Sequence, residues 1–413
     1  MTAIDPTTGE AQGTPESIAA TVIDTAGIDT AGIDTAGIAA LHASPYYGSF
    51  ALTGGGVGLA ARLLAVPGAS GTVAEVRVPY AEAALRALLG GTPDQAASLE
   101  TARVLAVTML RNTLQLGVPG DATPFGFGMT ASLATATPKR GAHRVLLALH
   151  TPHALHTYSL VLAKGARSRT EEEDVAMQLG WRALAALAGL GQAPVGTPAW
   201  LRADEHIEAQ HDDAGPHWPR VLTGEVPALE ARSGAAPDPD AHGQLLFPGS
   251  FNPMHDGHRQ MARIAEARTG RRVAFELCVA NVDKAPLDIA AIRARVDGLP
   301  ADRDVWLTRS GTFAQKVALF PGATFVLGLD TMVRIGEPRF YADADARERA
   351  LASLYASGCR FLVFPRLVGD TFLTLDDIQL PPALRALCDG VSPDAFRMDV
   401  SSSALRRRDD GSR

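Results

Sequence analysis

Short apolar runs alternate along this chain with segments whose apolar residues recur at helical spacing. Residues 50–53 read as a strand that ends in Gly54-Gly55-Gly56, and residues 59–64 as a helix stopped by Val66-Pro67-Gly68. Helices are predicted over 83–89 and 99–116, a strand pair over 145–149 and 157–162 around a turn containing Pro152, and a further helix over 171–190. Residues 193–242 lose both periodicities and are rich in Pro, Ala, Asp, Gly and His, which predicts an interdomain linker; Trp200 and Trp218 suggest that parts of it pack onto a domain. The alternation then resumes. Residues 245–247, 273–279, 325–329 and 361–364 read as buried strands, with a helix from Met261 onward. Strands alternating with helices predict an open parallel sheet. The expectation is two α/β domains, at 39–192 and 243–413. Ahead of them, IDTAG recurs from Ile23, Ile28 and Ile33. A repeat this short cannot build a solenoid unit, which needs at least about 20 residues. Residues 1–38 are therefore expected to be a disordered low-complexity tail.

Composition narrows the classes. At 46% hydrophobic and 20% charged, the chain can bury ordinary cores. Its 38 Lys and Arg against 45 Asp and Glu give a net charge of −7. That balance argues against non-specific nucleic-acid binding, which needs surplus positive charge, yet it leaves room for a local phosphate site. Cys278, Cys359 and Cys388 are too scattered for a disulfide framework or a zinc finger and fit a reducing compartment. With no apolar run near membrane-span length and no leader pattern in MTAIDPTTGEAQG, a cytoplasmic protein without membrane or nucleic-acid partners is expected.

The strongest local chemistry is Pro248-Gly249-Ser250-Phe251-Asn252-Pro253-Met254-His255-Asp256-Gly257-His258. It follows a strand and opens a helix, at the carboxyl edge where open α/β sheets bind ligands. Gly249 permits close backbone approach, Pro253 stiffens the loop, and two imidazoles three residues apart flank Gly257 beside free N–H groups of a helix start. That combination suits phosphate oxygens. Near the other end, Ser401-Ser402-Ser403-Ala404-Leu405-Arg406 reads as a helix start with hydroxyls and a guanidinium about one turn on.

These two motifs resemble those of the HxGH nucleotidyltransferase superfamily, and within it the nicotinamide or nicotinate mononucleotide adenylyltransferases. The family start, G-x-F-[ND]-P-x-H-x-G-H, is matched from Gly249 to His258. Its close, I-S-S-T-x-[IV]-R, is matched by VSSSALR with Val400 and Ser403 as departures. Gly328-Leu329-Asp330 resembles the family's G-x-D nucleotide segment, Lys284 stands where a lysine often lies near the mononucleotide, and Arg366 resembles an arginine after a late strand. The resemblance covers residues 244–408 and implies a Rossmann-like sheet, ATP and a pyridine mononucleotide as substrates, and Mg²⁺ with the ATP. It implies that the mononucleotide phosphate attacks the α-phosphorus and pyrophosphate leaves. His255, His258 and Arg406 would be the catalytic set. Gly249, Ser250, Phe251, Lys284, Gly328, Asp330, Ser401, Ser402 and Ser403 would contact the nucleotides. Asp330 reads equally as a carboxylate capping the following helix.

The first domain resembles the CinA C-terminal domain, whose active members deamidate nicotinamide mononucleotide. The match rests on Thr53-Gly54-Gly55, residues 59–70, Tyr80 and Gly165-Ala166-Arg167. It departs where the chemistry would sit. Active members read E-S-C-T-G-G, against Phe50-Ala51-Leu52-Thr53-Gly54-Gly55 here, so Ala51 replaces the hydroxyl nucleophile. Leu85 replaces the lysine, and the T-G-I-A-G-P loop becomes Thr130-Ala131-Ser132-Leu133-Ala134-Thr135. No deamidase activity is expected. Arg167, Arg169, Lys139 and Arg140 suggest either an anion site or solvated charge. His150, His153 and His156 lack a carboxylate or cysteine to complete a tetrahedral set, so no metal is expected there. A homo-oligomer is expected. The alternatives are another acceptor, phosphopantetheine or a small alcohol phosphate, or a non-catalytic nucleotide-binding regulatory protein.

Overall fold

The computed structural model describes residues 33–137, 139–280, 286–368 and 371–396. It is an α/β structure built on two main sheets. The first lobe runs α1 (Thr35–His42), β1 (Tyr46–Thr53), α2 (Val57–Ala65), β2 (Val73–Arg77), α3 (Glu82–Leu89), α4 (Leu99–Leu116), β3 (Thr123–Ser132), β4 (His143–His150), β5 (Ala154–Leu162), α5 (Arg169–Leu187) and β6 (Ile207–Asp213). Its sheet has the order β2-β1-β3-β4-β5-β6, parallel across the first three strands and antiparallel beyond.

Local chemistry explains the elements. Ser98 starts α4 by accepting the Thr101 N–H at 3.1 Å, and a Ser168/Glu171 capping box starts α5. In β3 the alternation Phe125-Gly126-Phe127-Gly128 puts two phenyl rings into the core under α5, while the glycines face α4. A Cβ on Gly126 would lie 2.0 Å from the Ala106 carbonyl, so α4 rests directly on backbone.

The second lobe runs α6 (Trp218–Thr223), β7 (Ala228–Glu230), β8 (Leu245–Pro248), α7 (Asp256–Thr269), β9 (Val273–Cys278), α8 (Ile289–Asp297), β10 (Val305–Thr308), α9 (Phe313–Leu319), β11 (Thr324–Gly328), α10 (Leu329–Gly336), α11 (Ala344–Ala356), β12 (Arg360–Phe364), β13 (Arg366–Val368), β14 (Thr371–Leu373), α12 (Pro382–Arg385) and β15 (Cys388–Gly390). The main sheet has the order β15-β12-β11-β8-β9-β10-β7 and is parallel except for β7 on its edge. From β8 the chain winds outward through β9 and β10, then returns to the other flank of β8 for β11 and β12. The carboxyl ends of β8 and β11 are thus the switch point of the sheet, where such folds leave a crevice.

Two boundaries differ from the sequence reading. Ile33 and Ile38 are buried in the first core and α1 begins at Thr35, so the lobe starts inside the stretch expected to be tail. The stretch expected to be linker supplies an edge strand to each sheet, β6 and β7. Its tryptophans pack as expected: the Arg182 guanidinium lies 5.4 Å from the Trp200 ring centroid, and Trp218 is buried with its indole N–H on the Ala231 carbonyl.

The lobes share one apolar cluster, in which Ala102, Ala106, Leu146 and Leu155 meet Trp218, Val221, Ile289 and Ile292. Polar contacts reinforce it at the start of α8. Arg103 grips Asp288 with two hydrogen bonds of 2.6 and 3.0 Å, and the Ile289 N–H donates to Nε2 of the buried His150 at 3.2 Å. His150, expected within a loose histidine series, is thus an interface residue; burial pushes its imidazole down to about 4. Among the described residues no helix is long and apolar enough to cross a membrane.

Candidate nucleotide site

The loop from Gly249 to His258 joins β8 to α7 at the switch point. Its shape is set by Phe251, which takes a left-handed φ of 42° while its ring is buried edge-on against Phe247 and Phe275. The backbone strain of that conformation is offset by burying the ring. Gly249 is required beside it, because a Cβ there would lie 2.5 Å from the Phe251 ring. The sequence places Phe251 among the ligand contacts; its side chain is buried and anchors the loop.

The two histidines come together. Their rings stack with centroids 3.7 Å apart at the N-terminus of α7. The His255 backbone N–H donates to Nδ1 of His258 at 3.3 Å. In the neutral ring that leaves the proton on Nε2, as a donor. Burial against Phe247 and Phe251, then the neighbouring His255 and the Arg259 guanidinium, push His258 down to about 4. Burial also lowers His255, in spite of the opposing pull of Asp256. Near neutral pH the site therefore offers uncharged imidazoles at a helix N-terminus, with the Arg259 guanidinium close by, an arrangement that suits an anion.

Asp330 lies in the first turn of α10, directly after β11. Gly328 occupies the N-cap, so Asp330 does not cap the helix; it pairs with Arg366. Two residues singled out separately in the sequence are thereby joined at the rim of the switch point. Lys284, Ser401, Ser402, Ser403 and Arg406 lie outside the described residues.

Beside the loop is a cavity of about 520 Å³. Gly249, Ser250 and Asn252 form one wall, Phe313 and Tyr341 others, and the buried Glu276 and Lys316 also line it, as do Arg295 and Arg334. Glu276 and Lys316 were not expected. A glutamate inside the apolar run VAFELC was the available signal, since charged residues are rarely buried without a partner. Cys278, at the same strand end, has its thiol pushed up by burial.

In the first lobe, Ala51 and Leu85 pack into one apolar cluster with Leu89, Leu105 and Met109, so the places of the expected hydroxyl and lysine are filled by hydrocarbon. Two of the basic residues nearby, Arg167 and Arg169, are committed elsewhere. Arg167 pairs with the buried Glu205, and Arg169 donates to the Gly54 carbonyl at 2.9 Å and the Ala134 carbonyl at 3.3 Å. Burial raises the Glu205 carboxyl, but Arg167 and the N–H groups of Ala163 and Arg202 outweigh it and the net shift is downward. His143 meets the buried Glu172 at 2.6 Å. Among the described residues no group of three His, Cys, Asp or Glu is placed to hold a metal ion.

No family model matches the chain, and no curated protein matches it. Among solved structures, it is similar to the competence/damage inducible protein CihA from Agrobacterium tumefaciens. The identity is 22%, over 38% of this chain and 99% of that one, with a TM-score of 0.27.

Proposed function

We propose that this chain transfers the adenylyl group of ATP to a pyridine mononucleotide, nicotinamide or nicotinate, with release of pyrophosphate, and that its first lobe is a CinA-like domain without deamidase activity. The observation that carries the reading is the pair of stacked imidazoles at the start of α7, at the switch point of a parallel sheet, beside a cavity of ligand size. In this reading an oxygen of the acceptor phosphate forms a bond to the α-phosphorus as the bond to the leaving pyrophosphate breaks. No protein nucleophile is needed, and the work is positioning and charge stabilisation. His258, its Nδ1 engaged by backbone, would direct the Nε2 proton at the phosphate oxygens, with His255 beside it. Ser401, Ser402, Ser403 and Arg406 are proposed for the β and γ phosphates, and Lys284 for the mononucleotide. Mg²⁺ would accompany ATP and neutralise its phosphates. Of the carboxylates near the loop, Asp256 is paired with Arg259, Asp330 with Arg366 and Glu276 with Lys316.

The loss of deamidase activity is supported by the apolar cluster around Ala51 and Leu85. The test is pyrophosphate release from ATP and Mg²⁺ with each pyridine mononucleotide, phosphopantetheine and a small alcohol phosphate in turn. Release with the pyridine mononucleotides alone supports the proposal. Release with another acceptor transfers the chemistry to that substrate, and calorimetric binding of ATP without release identifies a non-catalytic nucleotide-binding protein.

A further inference from the structure

Glu276 on β9 and Lys316 on α9 are 2% and 4% exposed, and both line the cavity beside the loop. Their charged groups meet at 2.5 Å. Thr308 donates to the same carboxylate oxygen, Oε1, that Lys316 holds. Both hydrogen bonds to this carboxylate thus fall on one oxygen, which leaves Oε2 as an acceptor, while the ammonium has three protons and gives one to Glu276. A buried ion pair is stable only when its remaining donors and acceptors are also met. A ligand group seated against the pair is matched by accepting from Lys316 and donating to Glu276, while Arg295 and Arg334, which also line the cavity, would draw a phosphate elsewhere in it. Phe313, Ile335, Phe340 and Tyr341 supply flat and apolar walls to the same space, which suits a planar ring.

We propose that Lys316 and Glu276 form the specificity pair of the acceptor pocket, reading the uncharged donor–acceptor edge of a carboxamide carried on a planar ring and rejecting a carboxylate in its place. The inference rests on the reading of this site as a mononucleotide acceptor site, and it selects nicotinamide mononucleotide over the nicotinate form. The carboxamide oxygen accepts from Lys316 and its NH₂ donates to Oε2 of Glu276. A carboxylate has no proton to donate and places a second negative charge against Glu276, a repulsion that works as discrimination. A pair that only braced α9 against β9 would influence both substrates alike.

The test measures dissociation constants of the two mononucleotides by calorimetry, and pyrophosphate release with ATP and Mg²⁺, for the wild type and for Glu276→Gln. The wild type is expected to favour nicotinamide mononucleotide by at least about tenfold in both measurements. In Glu276→Gln the repulsion is gone and Lys316 is left to attract a carboxylate, so the preference is expected to fall to within about threefold or to invert. Equal use of the two in the wild type, a preference for the nicotinate form, or an unchanged ratio in a folded Glu276→Gln overturns the inference. Because the wild-type preference needs no variant, an unfolded Glu276→Gln does not remove the test. An aminopurine edge offers the same pattern, so the ATP dissociation constant is measured in Glu276→Gln as well: an ATP constant unchanged while the mononucleotide preference shifts supports the assignment, and weakened ATP binding with an unchanged preference overturns it. Discrimination in binding without pyrophosphate release keeps the specificity pair and refutes the transferase; release without discrimination does the reverse.

Discussion

Removing the Arg103 side chain tests whether the two lobes are one energetic unit. The guanidinium holds Asp288 through bonds of 2.6 and 3.0 Å, and the Asp288 side chain is 7% exposed. A third bond, from the Ala291 N–H at 2.8 Å, makes Asp288 the N-cap of α8. Burial raises the Asp288 carboxyl, but Arg103 and the Ala291 N–H outweigh it and the net shift is downward. Arg103→Ala takes away two of three donors and strands the charge, at a cost of about 3–5 kcal/mol, the usual range for breaking a buried pair. Asp288→Asn keeps the cap bond and leaves a guanidinium that can turn toward solvent, for about 1–2 kcal/mol. In the double variant the stranded charge is absent, so its cost is expected to fall short of the sum of the singles by about 2 kcal/mol. Urea unfolding at pH 7, followed by tryptophan fluorescence and circular dichroism, measures all four proteins. The wild type is expected to unfold in one transition, because the shared apolar cluster and the His150–Ile289 bond tie the lobes along the same seam. Additivity within about 0.5 kcal/mol, or two separate wild-type transitions, would refute this account of the interface.

Acidification is a second test. His150 and His258 are both held near 4 in the folded chain. Above about pH 7 both states are neutral and nothing is gained or lost; below the unfolded value of about 6.5 only the unfolded chain takes up these protons. The contribution of these imidazoles is therefore expected to fall from about pH 6.5 to about pH 4 and then level, by about 3 kcal/mol for His150 alone, while the depressed carboxyls of Asp288 and Glu205 carry the loss of stability further down. His150→Gln should flatten part of that slope, and an unchanged slope would contradict the assignment. Gly249→Ala forces a Cβ within 2.5 Å of the Phe251 ring. It should cost about 1–3 kcal/mol in thermal or chemical unfolding. Displacement of the loop should lower turnover by about tenfold or more. The full chain given nicotinamide mononucleotide without ATP should release no ammonia; steady release would show that the first lobe deamidates by a route that does not use Ala51.

The readable parts of the chain were those whose local chemistry agrees with their place in the fold. Helix α4 spans the residues its periodicity marked, because Ser98 caps it and Gly117 ends it. The strands β8, β9, β11 and β12 are short apolar runs buried on both faces. Strand β6, Ile207–Asp213, is a largely polar edge with only Ile207 buried, and β7 has three residues, so neither carries a periodic signal. The glycines of β3 make sense only once α4 lies against them. At the site, the loop and its imidazoles were legible because contiguous residues build them. The meeting of Glu276 with Lys316, forty positions apart, depends on the order of strands and leaves no trace in local sequence. The ion pair of Asp330 with Arg366 likewise joins the ends of neighbouring strands.

The most direct test of the central claim is product identification. Incubating the full chain with ATP, Mg²⁺ and nicotinamide mononucleotide, then analysing the mixture by mass spectrometry, should reveal the dinucleotide and pyrophosphate in equal amounts. His258→Ala should form it at least about a hundredfold more slowly while keeping its fold. Failure of the wild type to form any dinucleotide, or near-normal formation by a folded His258→Ala, would contradict the account.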